Sequence, residues 1–287
     1  MRVCGMTMKD KYKADNFLFD ISAAVDAAVE RLKDAYGFSQ RLGMGKLYVC
    51  FSGGKDSECV YLLCRKAFGE HMHECCDFVY NMTGIDPPEL VYFIREYFPD
   101  VIFSRSKTTI WDLCVQKRMP PTRVVRYCCS ELKERGGKGR FVVTGVRWAE
   151  SVKRRLNRGI FESHGAKSPR ILNADNSDDR RTLEHCVPKQ RYICNPIVDW
   201  GTDEVWRFII QENMPYCTLY DEGFSRMGCI GCPMNSPDNK RKEFNRWPKY
   251  KSQWIRTFQR MVDKRKADGL PTQWNTGDNV FTWWIKQ

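Results

Sequence analysis

The chain has 287 residues, enough for one large α/β domain or for a domain with an appended helical segment. No uninterrupted apolar run reaches membrane length, and the first residues lead into charged positions instead of a signal-peptide core, so we expect a cytoplasmic protein with no membrane partner. Fourteen cysteines in a reducing compartment favour metal or redox chemistry over a disulfide framework.

The net charge of +12 is unevenly distributed along the chain. Residues 1–99 hold 12 basic and 14 acidic side chains, whereas the remainder holds 35 basic and 21 acidic ones. This asymmetry favours a polyanionic partner. A basic soluble surface that carries a few arginines for a nucleotide is the alternative interpretation.

Apolar periodicity predicts alternating helices and strands. In chain order the predicted elements are a helix over 17–37, a strand over 47–51, a helix from 59, a strand over 78–80, a helix over 89–97, a strand over 101–103, a helix over 110–117 and a strand over 141–143. Such alternation predicts an α/β fold, a doubly wound parallel sheet with helices on both faces, whose ligand lies at the carboxyl ends of the strands.

Beyond residue 158 the pattern changes. Residues 163–181 are polar and aperiodic, which predicts a long loop, interpreted as a lid in preference to a disordered segment. A helix capped by Thr202 follows, and the tail carries an aromatic stripe at helical spacing that we expect to face a core. The predicted organisation is an N-terminal helical segment (1–40), a nucleotide-binding domain (41–235) and a helical C-terminal extension (236–287).

The segment Ser52-Gly53-Gly54-Lys55-Asp56-Ser57 directly follows the first predicted strand. Two glycines let the backbone approach phosphate oxygens, the serine hydroxyls can donate hydrogen bonds, and the lysine supplies a positive charge. Asp56 fits beside an anion if it holds Mg²⁺ or orients a neighbour. The sequence therefore predicts a phosphate-binding loop, and an ordinary glycine turn is the alternative.

Two cysteine pairs form a second candidate site. Cys128 and Cys129 are adjacent, and Cys229 and Cys232 form a CxxC motif. Four thiolates can hold a [4Fe–4S] cluster, and tetrahedral Zn²⁺ is the alternative. The cysteines within or beside apolar runs are predicted to be small core residues, and they are Cys50, Cys59, Cys64, Cys75, Cys76, Cys114 and Cys194.

The phosphate loop together with the cysteine pairs resembles the phosphoadenosine phosphosulfate (PAPS) reductase and N-type ATP pyrophosphatase family, which is adenine nucleotide alpha hydrolase-like. The resemblance extends from about residue 45 to about residue 235. It implies that Thr83 and Gly84 contact an adenosine. The segment from Gly145 to Arg154 is similar to the family's arginine loop, which implies that Arg147, Glu150, Ser151 and Arg154 contact the phosphate or sulfate of a nucleotide.

One difference from the reductases bears on function. They carry a catalytic cysteine near the C-terminus, whereas no cysteine follows Cys232 here. Without that cysteine, the sequence resembles in type the ATP-pyrophosphatase component of DNA phosphorothioation systems, and also the iron–sulfur tRNA thiolases. The resemblance implies a nucleic-acid partner, with DNA ahead of tRNA. The resemblance implies an ATP pyrophosphatase that adenylates a nucleic-acid oxygen for sulfur incorporation, with Lys55, Asp56, Arg147 and Arg154 as catalytic residues and a cysteine desulfurase as sulfur donor.

Two alternatives stay open. One is a reductase that acts on adenylylsulfate (APS) or PAPS, and the other is a non-catalytic regulator that binds a nucleotide and a metal. Cys217 is a candidate sulfur carrier or alternative metal ligand. The sequence leaves open whether the chain forms a homo-oligomer.

Overall fold

The computed structural model describes residues 7–12, 20–133, 136–164, 169–172 and 191–287. Within these residues seven strands form one sheet. They are β1 (Leu47–Phe51), β2 (Cys76–Met82), β3 (Ile102–Arg105), β4 (Val142–Val143), β5 (Phe161–His164), β6 (Pro169–Leu172) and β7 (Arg191–Cys194). The sheet order is β3-β2-β1-β4-β7-β5-β6. β1 is parallel to β2 and β4, and β4 is parallel to β7, whereas β5 runs antiparallel to β6 and β7.

Helices surround the sheet and form the tail of the chain. They are α1 (Met8–Lys11), α2 (Ser22–Arg41), α3 (Lys55–Phe68), α4 (Met72–Cys75), α5 (Pro88–Tyr97), α6 (Ile110–Lys117), α7 (Tyr127–Leu132), α8 (Val152–Asn157), α9 (Thr202–Gln211), α10 (Pro237–Arg246), α11 (Pro248–Ala267) and α12 (Gly277–Trp284). Single 3₁₀ turns lie at Gly69–His71, Trp148–Glu150 and Thr218–Tyr220. No helix of the described residues is long and apolar enough to cross a membrane.

The central strands are apolar because they are buried on both sides. Val49 of β1 lies opposite Phe78 of β2 and Val143 of β4, and these three side chains are 0–1 % exposed. Parallel strands covered by helices require such continuous apolar runs. The predicted α/β fold with a mainly parallel sheet is confirmed.

Three local predictions need correction. The first long helix begins at Ser22, where the Asp20 carboxylate accepts the Ser22 backbone N–H at 2.9 Å, instead of at residue 17. Gly201, not Thr202, is the N-cap of α9, and its N–H donates to Glu204. The region predicted as a loop from residue 163 includes the end of β5 and all of β6, because pairing on the β7 edge overrides the polar composition. The rest of that predicted loop, 165–168 and 173–181, lies outside the described residues.

The chain divides into two compact units. The first unit contains Met1–Tyr80, Glu89–Ile102 and Gly137–Met227, and the second contains Asn81–Pro88, Phe103–Gly136 and Gly228–Gln287. The phosphate loop belongs to the first unit, whereas both cysteine pairs belong to the second. The boundaries predicted from the sequence follow chain order alone and stay predictions.

The second unit has an aromatic core of its own. Trp254 of α11 lies 4.7 Å from Trp284 of α12 and 5.0 Å from Trp111 of α6, measured between ring centroids. Phe258 and Met261, one and two turns further along α11, are fully buried. The aromatic stripe of the tail therefore faces a core, as predicted, because stacking these rings removes a large apolar area from water.

Candidate functional site

The phosphate loop connects the buried end of β1 to the first turn of α3. Gly53 has a backbone φ of +65°, and a Cβ atom there would lie 2.7 Å from the Ile94 side chain and 2.8 Å from that of Leu90. Only glycine combines this conformation with this close packing. The first glycine is therefore required by the fold of the loop.

Hydrogen bonds between its own residues close the loop. The Ser57 hydroxyl donates to the Gly54 carbonyl oxygen at 2.8 Å and accepts the Ser52 backbone N–H at 3.1 Å. The Oγ atoms of Ser52 and Ser57 are 3.1 Å apart. Ser57 is buried and Ser52 is exposed. Ser57 therefore shapes the loop, and Ser52 is the serine whose side chain is open to a ligand.

A carboxylate between two cations lies at the start of α3. The Arg147 Nε atom donates to Asp56 Oδ1 at 2.7 Å, and the Lys55 Nζ atom donates to Asp56 Oδ2 at 3.1 Å. Arg147 Nη1 also donates to the Trp200 carbonyl oxygen at 3.1 Å, and the arginine side chain is only 2 % exposed. Asp56 thus orients its neighbours, which is one of its two predicted roles. With both oxygens bonded to cations, its carboxylate does not fit a magnesium ion in this arrangement.

The arginine loop packs directly on α3. A Cβ atom on Gly145 would lie 2.9 Å from the Asp56 backbone oxygen, so the loop approaches the helix backbone closely. Glu150 accepts the Arg147 backbone N–H at 3.0 Å and forms an ion pair with Arg154. Ser151 caps α8 by accepting the Arg154 backbone N–H at 3.2 Å. Glu150 and Ser151 therefore hold the two arginines in place, and their predicted contact with a nucleotide stays a prediction.

Positive charge accumulates around Arg154. Burial, followed by the positive charges of Arg226 and Arg158, lowers the pKa of the Arg154 guanidinium. Like charges in a partly buried site repel one another until an anion neutralises them. This electrostatic arrangement fits the phosphate or sulfate group that the sequence predicts.

Tyr220 supports the phosphate loop and was not identified from the sequence as a site residue. The Lys55 backbone N–H donates to the Tyr220 hydroxyl at 2.9 Å, and the Lys55 Nζ atom lies 6.0 Å from the ring centroid. A Cβ atom on Gly54 would lie 3.3 Å from the same hydroxyl. Burial raises the pKa of Tyr220 well above its ordinary value, so the hydroxyl stays protonated. No spacing signal links residue 220 to residue 55, so only the structure could identify this contact.

Glu58, one residue after the loop, is fully buried. Among the residues that the structure describes, neither of its carboxylate oxygens has a hydrogen-bond partner. Burial, and then the negative charge of Asp56, raises the pKa of Glu58 well above its ordinary value. The side chain is therefore neutral over a wider pH range than an ordinary glutamate.

In the second unit, Asp86 organises the Thr83–Gly84 turn. The Asp86 carboxylate accepts the Thr83 N–H at 2.7 Å, the Thr83 hydroxyl at 2.9 Å and the Gly84 N–H at 3.2 Å. Gly84 has a φ of +80°, and the Thr83 Oγ1 atom lies 3.4 Å from the Cys229 sulfur. A cavity of about 210 Å³ opens beside this turn, lined also by Arg105. The turn predicted to contact an adenosine therefore adjoins the CxxC motif.

The four cysteines of the predicted metal site are half-buried members of the second unit. Hydrogen bonding with Cys129, then burial and the charges of Cys129, Cys229 and Cys232, raises the pKa of Cys128. The charge of Cys229 is the largest of the influences that raise the pKa of Lys133. The two pairs thus interact electrostatically, and Lys133 is a cation beside them that the sequence prediction missed.

The electrostatic interaction between the two cysteine pairs does not by itself establish a metal centre. In the part of the chain that the structure describes, no three histidine, cysteine, aspartate or glutamate side chains are positioned to hold one metal ion. The chemistry of the donors fits a thiolate-bound metal, while the positions of the four sulfur atoms do not form a closed site. The cluster and its zinc alternative accordingly stay predictions.

The other cysteines separate into two groups. Cys59, Cys64, Cys75, Cys76, Cys114 and Cys194 are buried and Cys50 is half-buried, which confirms six of the seven as core residues. Cys217 is 1 % exposed and belongs to the first unit, whereas the paired cysteines belong to the second. Burial is the main cause that raises the pKa of Cys217, to about 11. A protonated buried thiol is a poor nucleophile and a poor metal ligand.

Comparison with known proteins identifies the family. Residues 46–235 match the family model described as the phosphoadenosine phosphosulfate reductase domain, more than half of the chain. The chain belongs to this family. The resemblance predicted from the phosphate loop, the arginine loop and the cysteines is therefore confirmed at the level of the family.

Individual relatives match this chain over different lengths. It is 26% identical over 220 residues to an uncharacterized protein of Methanocaldococcus jannaschii, a match that covers 75% of this chain and 42% of that protein. It is 32% identical over 80 residues to adenosine 5'-phosphosulfate reductase 2 of Bacillus subtilis, which covers 26% of this chain and 34% of that one. The chain thus spans less than half the length of these curated relatives.

Two solved structures match this chain with TM-scores below 0.5. The phosphoadenylyl-sulfate reductase of Candida auris is 15% identical with a TM-score of 0.44, and the match covers 74% of this chain and 97% of that one. The FMN adenylyltransferase of Candida glabrata is 16% identical with a TM-score of 0.45, with 78% and 69% coverage.

Proposed function

We propose that this member of the PAPS reductase domain family is an ATP pyrophosphatase that adenylates a nucleic-acid oxygen and so prepares it for sulfur incorporation. The observation that carries the proposal is the pair of cations, Lys55 and Arg147, fixed on one carboxylate at the N-terminus of α3. Because α3 begins directly after a parallel strand, the positive end of its helix dipole and these two cations together present positive charge to a polyphosphate.

The proposed reaction has two displacement steps. In the first, an oxygen of the nucleic acid forms a bond to the α-phosphorus of ATP while the bond to the β-phosphate oxygen breaks and pyrophosphate leaves. In the second, sulfide attacks the adenylated centre and AMP leaves with the oxygen. Neither step changes an oxidation state. The protein contributes by positioning the phosphates and stabilising the charge on the leaving pyrophosphate, through Lys55 and the Arg147–Arg154 cluster.

Helix α8 supports a polynucleotide as the acceptor. Lys153 and Arg155 are exposed, and the helix directly follows the arginine loop. Its apolar residues Val152 and Leu156 are 76% and 72% exposed. A short helix with exposed basic side chains suits the backbone phosphates of DNA or tRNA, which extend beyond a nucleotide pocket.

The second unit would supply the sulfur chemistry. We propose that Cys128, Cys129, Cys229 and Cys232 hold a [4Fe–4S] cluster, with zinc as the alternative, because all four thiols lie in one unit and interact electrostatically. When bound, the cluster would hold sulfide for the second step. A cysteine desulfurase supplies sulfur at the persulfide level, so an external thiol reductant would provide the two electrons that convert it to sulfide. Lys133 and the Thr83 hydroxyl would stabilise negative charge on the sulfur atoms beside them.

A second candidate function is reduction of adenylylsulfate or PAPS. It is favoured by the match to a protein named as an adenosine 5'-phosphosulfate reductase. The same phosphate loop and arginines would bind the smaller substrate, so the nucleotide site alone does not separate the two activities.

Product analysis under anaerobic conditions tests the proposal. The protein is incubated with ATP alone, with ATP and DNA, and with ATP and tRNA, and AMP and pyrophosphate are quantified. In parallel it is incubated with adenylylsulfate and reduced thioredoxin, and sulfite is measured. We expect AMP and pyrophosphate to increase with one nucleic acid and no sulfite to form. Sulfite release without ATP cleavage would instead establish the reductase.

A further inference from the structure

Glu243 is a buried acid outside the part of the chain that matches the family. It lies in α10, beyond residue 235, and is 8% exposed. Its Oε2 atom accepts the Gly231 backbone N–H at 2.7 Å, and its Oε1 atom accepts the Asn235 side-chain amide at 2.6 Å. Gly231 lies inside the CxxC motif and Asn235 follows it, so one carboxylate connects both sides of the turn.

The CxxC turn is tight and closely packed. Gly231 has a φ of +73°, and a Cβ atom there would lie 2.6 Å from Phe244 of α10 and 2.9 Å from Trp284 of α12. Within the turn, the Cys232 N–H donates to the Cys229 carbonyl oxygen at 3.1 Å. Because the Gly231 N–H points into this packed region, it needs an acceptor there, and Glu243 is that acceptor.

The same helices also contact the segment that leads to the other cysteine pair. The Trp284 indole N–H donates to the Pro121 carbonyl oxygen at 2.6 Å, and Arg123 donates to the Asn235 carbonyl oxygen at 3.1 Å. Lys240 of α10, fully buried, donates to the Trp284 carbonyl oxygen at 3.3 Å and so ties α10 to α12. The CxxC turn is therefore held by helices of the C-terminal segment, and α12 also contacts the chain at Pro121, seven residues before Cys128.

We infer that Glu243 is a positioning residue that fixes the Cys229–Cys232 turn. We also infer that helices α10–α12 belong to the thiol site, which is the set of Cys128, Cys129, Cys229 and Cys232. The inference about geometry is independent of any bound metal. Its functional meaning rests on the proposed function, in which the four thiols act together. Carboxylates that orient the loops around sulfur ligands commonly set how well those ligands are held.

The test compares Glu243→Ala with Glu243→Gln. The alanine variant leaves the Gly231 N–H without an acceptor, whereas glutamine keeps one acceptor oxygen, and the Asn235 amide can rotate to pair with the other end. The matched control is Asp238→Ala, an exposed acid in the same helix. Hydrogen exchange of the peptide 229–235 is measured by mass spectrometry, together with the alkylation rate of each cysteine by iodoacetamide under anaerobic conditions.

We expect Glu243→Ala to speed exchange in 229–235 and alkylation of Cys229 and Cys232 by at least tenfold. Glu243→Gln should stay within about threefold of the wild type, and Asp238→Ala should match it. Two results would overturn the inference. One is unchanged exchange and alkylation in the alanine variant, and the other is equal acceleration at Cys59 and Cys64 of the first unit, which would mean global loosening.

This experiment contains neither nucleotide nor nucleic acid, so its outcome is separate from that of the proposed function. Faster exchange and alkylation at the CxxC turn, in a protein that does not cleave ATP, would support Glu243 as a positioning residue and refute the proposed adenylation. Normal ATP cleavage with an unaffected turn would instead support the adenylation and show that Glu243 is not a positioning residue.

Discussion

The phosphate site of the first unit and the thiol site of the second are built in different ways. The phosphate loop is one continuous turn between a buried strand and a helix, and its own serines close it. The CxxC turn instead depends on Glu243, which lies outside the motif, and on the rings of Phe244 and Trp284. A loop whose bonds are local is recognisable from a short sequence, whereas a turn held by distant side chains is not.

Charge is handled differently in the two sites as well. In the first unit the cations Lys55 and Arg147 are held on Asp56 before a ligand binds, and two cations on one carboxylate leave one net positive charge. In the second unit the hydrogen bond with Cys129, then burial and the charges of the other three cysteines raise the pKa of Cys128, which favours protonated sulfur. We therefore expect the phosphate site to be preorganised and the thiol site to need its ligand for its final geometry.

The largest effect is expected at Asp56. Asp56→Ala removes the carboxylate that fixes both cations, so ATP cleavage should fall by about 100-fold or more, as for the loss of a preorganised charge contact. Asp77→Ala is the matched control, because Asp77 also accepts from an arginine, at 2.7 Å, with a side chain of similar exposure, 26% against 23%. Release of pyrophosphate is measured. Equal rates in the two variants would show that Asp56 has no role in the phosphate site.

The next effect concerns metal binding. Cys229→Ser should remove most of the iron from anaerobically purified protein, because a four-thiolate cluster loses one ligand. Cys114→Ser is the control, since Cys114 is a buried core residue of the same unit. Iron and zinc are quantified per chain and visible absorption is recorded. Stoichiometric zinc without iron in the wild type would show that the four cysteines bind zinc and not an iron–sulfur cluster.

The comparison of the two sites explains what the sequence could predict. The phosphate loop and the sheet were predictable because short-range glycine geometry and apolar runs determine them, as Gly53 and Val49 illustrate. The arginine loop was recognised through its family resemblance, but the bonds of Glu150 and Ser151 to Arg147 and Arg154 were not. Their roles depend on which face of a short 3₁₀ turn each side chain occupies.

Contacts between residues far apart in sequence could not be predicted. Tyr220 and Lys55 are 165 residues apart, and Asp86 and Cys229 share Thr83 only after folding. Strand β6 was missed because edge pairing, not composition, determines it. These residues complete the two sites. A single sequence therefore predicts the reactive groups of a site more readily than the distant side chains that hold those groups in place.

A smaller effect should appear in nucleic-acid binding. Replacing Lys153 and Arg155 with glutamine removes two exposed cations of α8, so the slope of log affinity against log salt should fall by roughly one unit per lost phosphate contact. Binding of DNA and tRNA is measured across a range of salt concentrations. Replacing Lys33 and Lys66, which pair with Glu30 and Glu212, is the control. An unchanged dependence of affinity on salt in the α8 variant would show that this helix does not contact the nucleic acid.

The smallest expected effect contrasts two buried glutamates. Glu243 in the second unit has a hydrogen-bond donor at each carboxylate oxygen, whereas Glu58 in the first has no donor in the described part of the chain. Ionising Glu58 in place is therefore costly, and its folded-state pKa lies well above the ordinary value of 4.5. As pH rises above 4.5, the unfolded chain releases this proton first, so the native state loses stability until the pH reaches the raised pKa.

Glu58→Gln removes that titration while keeping the size of the side chain. The variant should be more stable than the wild type at pH 7, and the difference should shrink toward pH 4.5, with a limiting slope of about 1.4 kcal/mol per pH unit for one proton. Urea unfolding between pH 5 and 7.5 measures this, with exposed Glu70→Gln as the control. Parallel stability curves for the wild type and Glu58→Gln would mean that a donor reaches the Glu58 carboxylate in solution. In that case the two buried acids would be alike, and the contrast between the units would lie in loop construction alone.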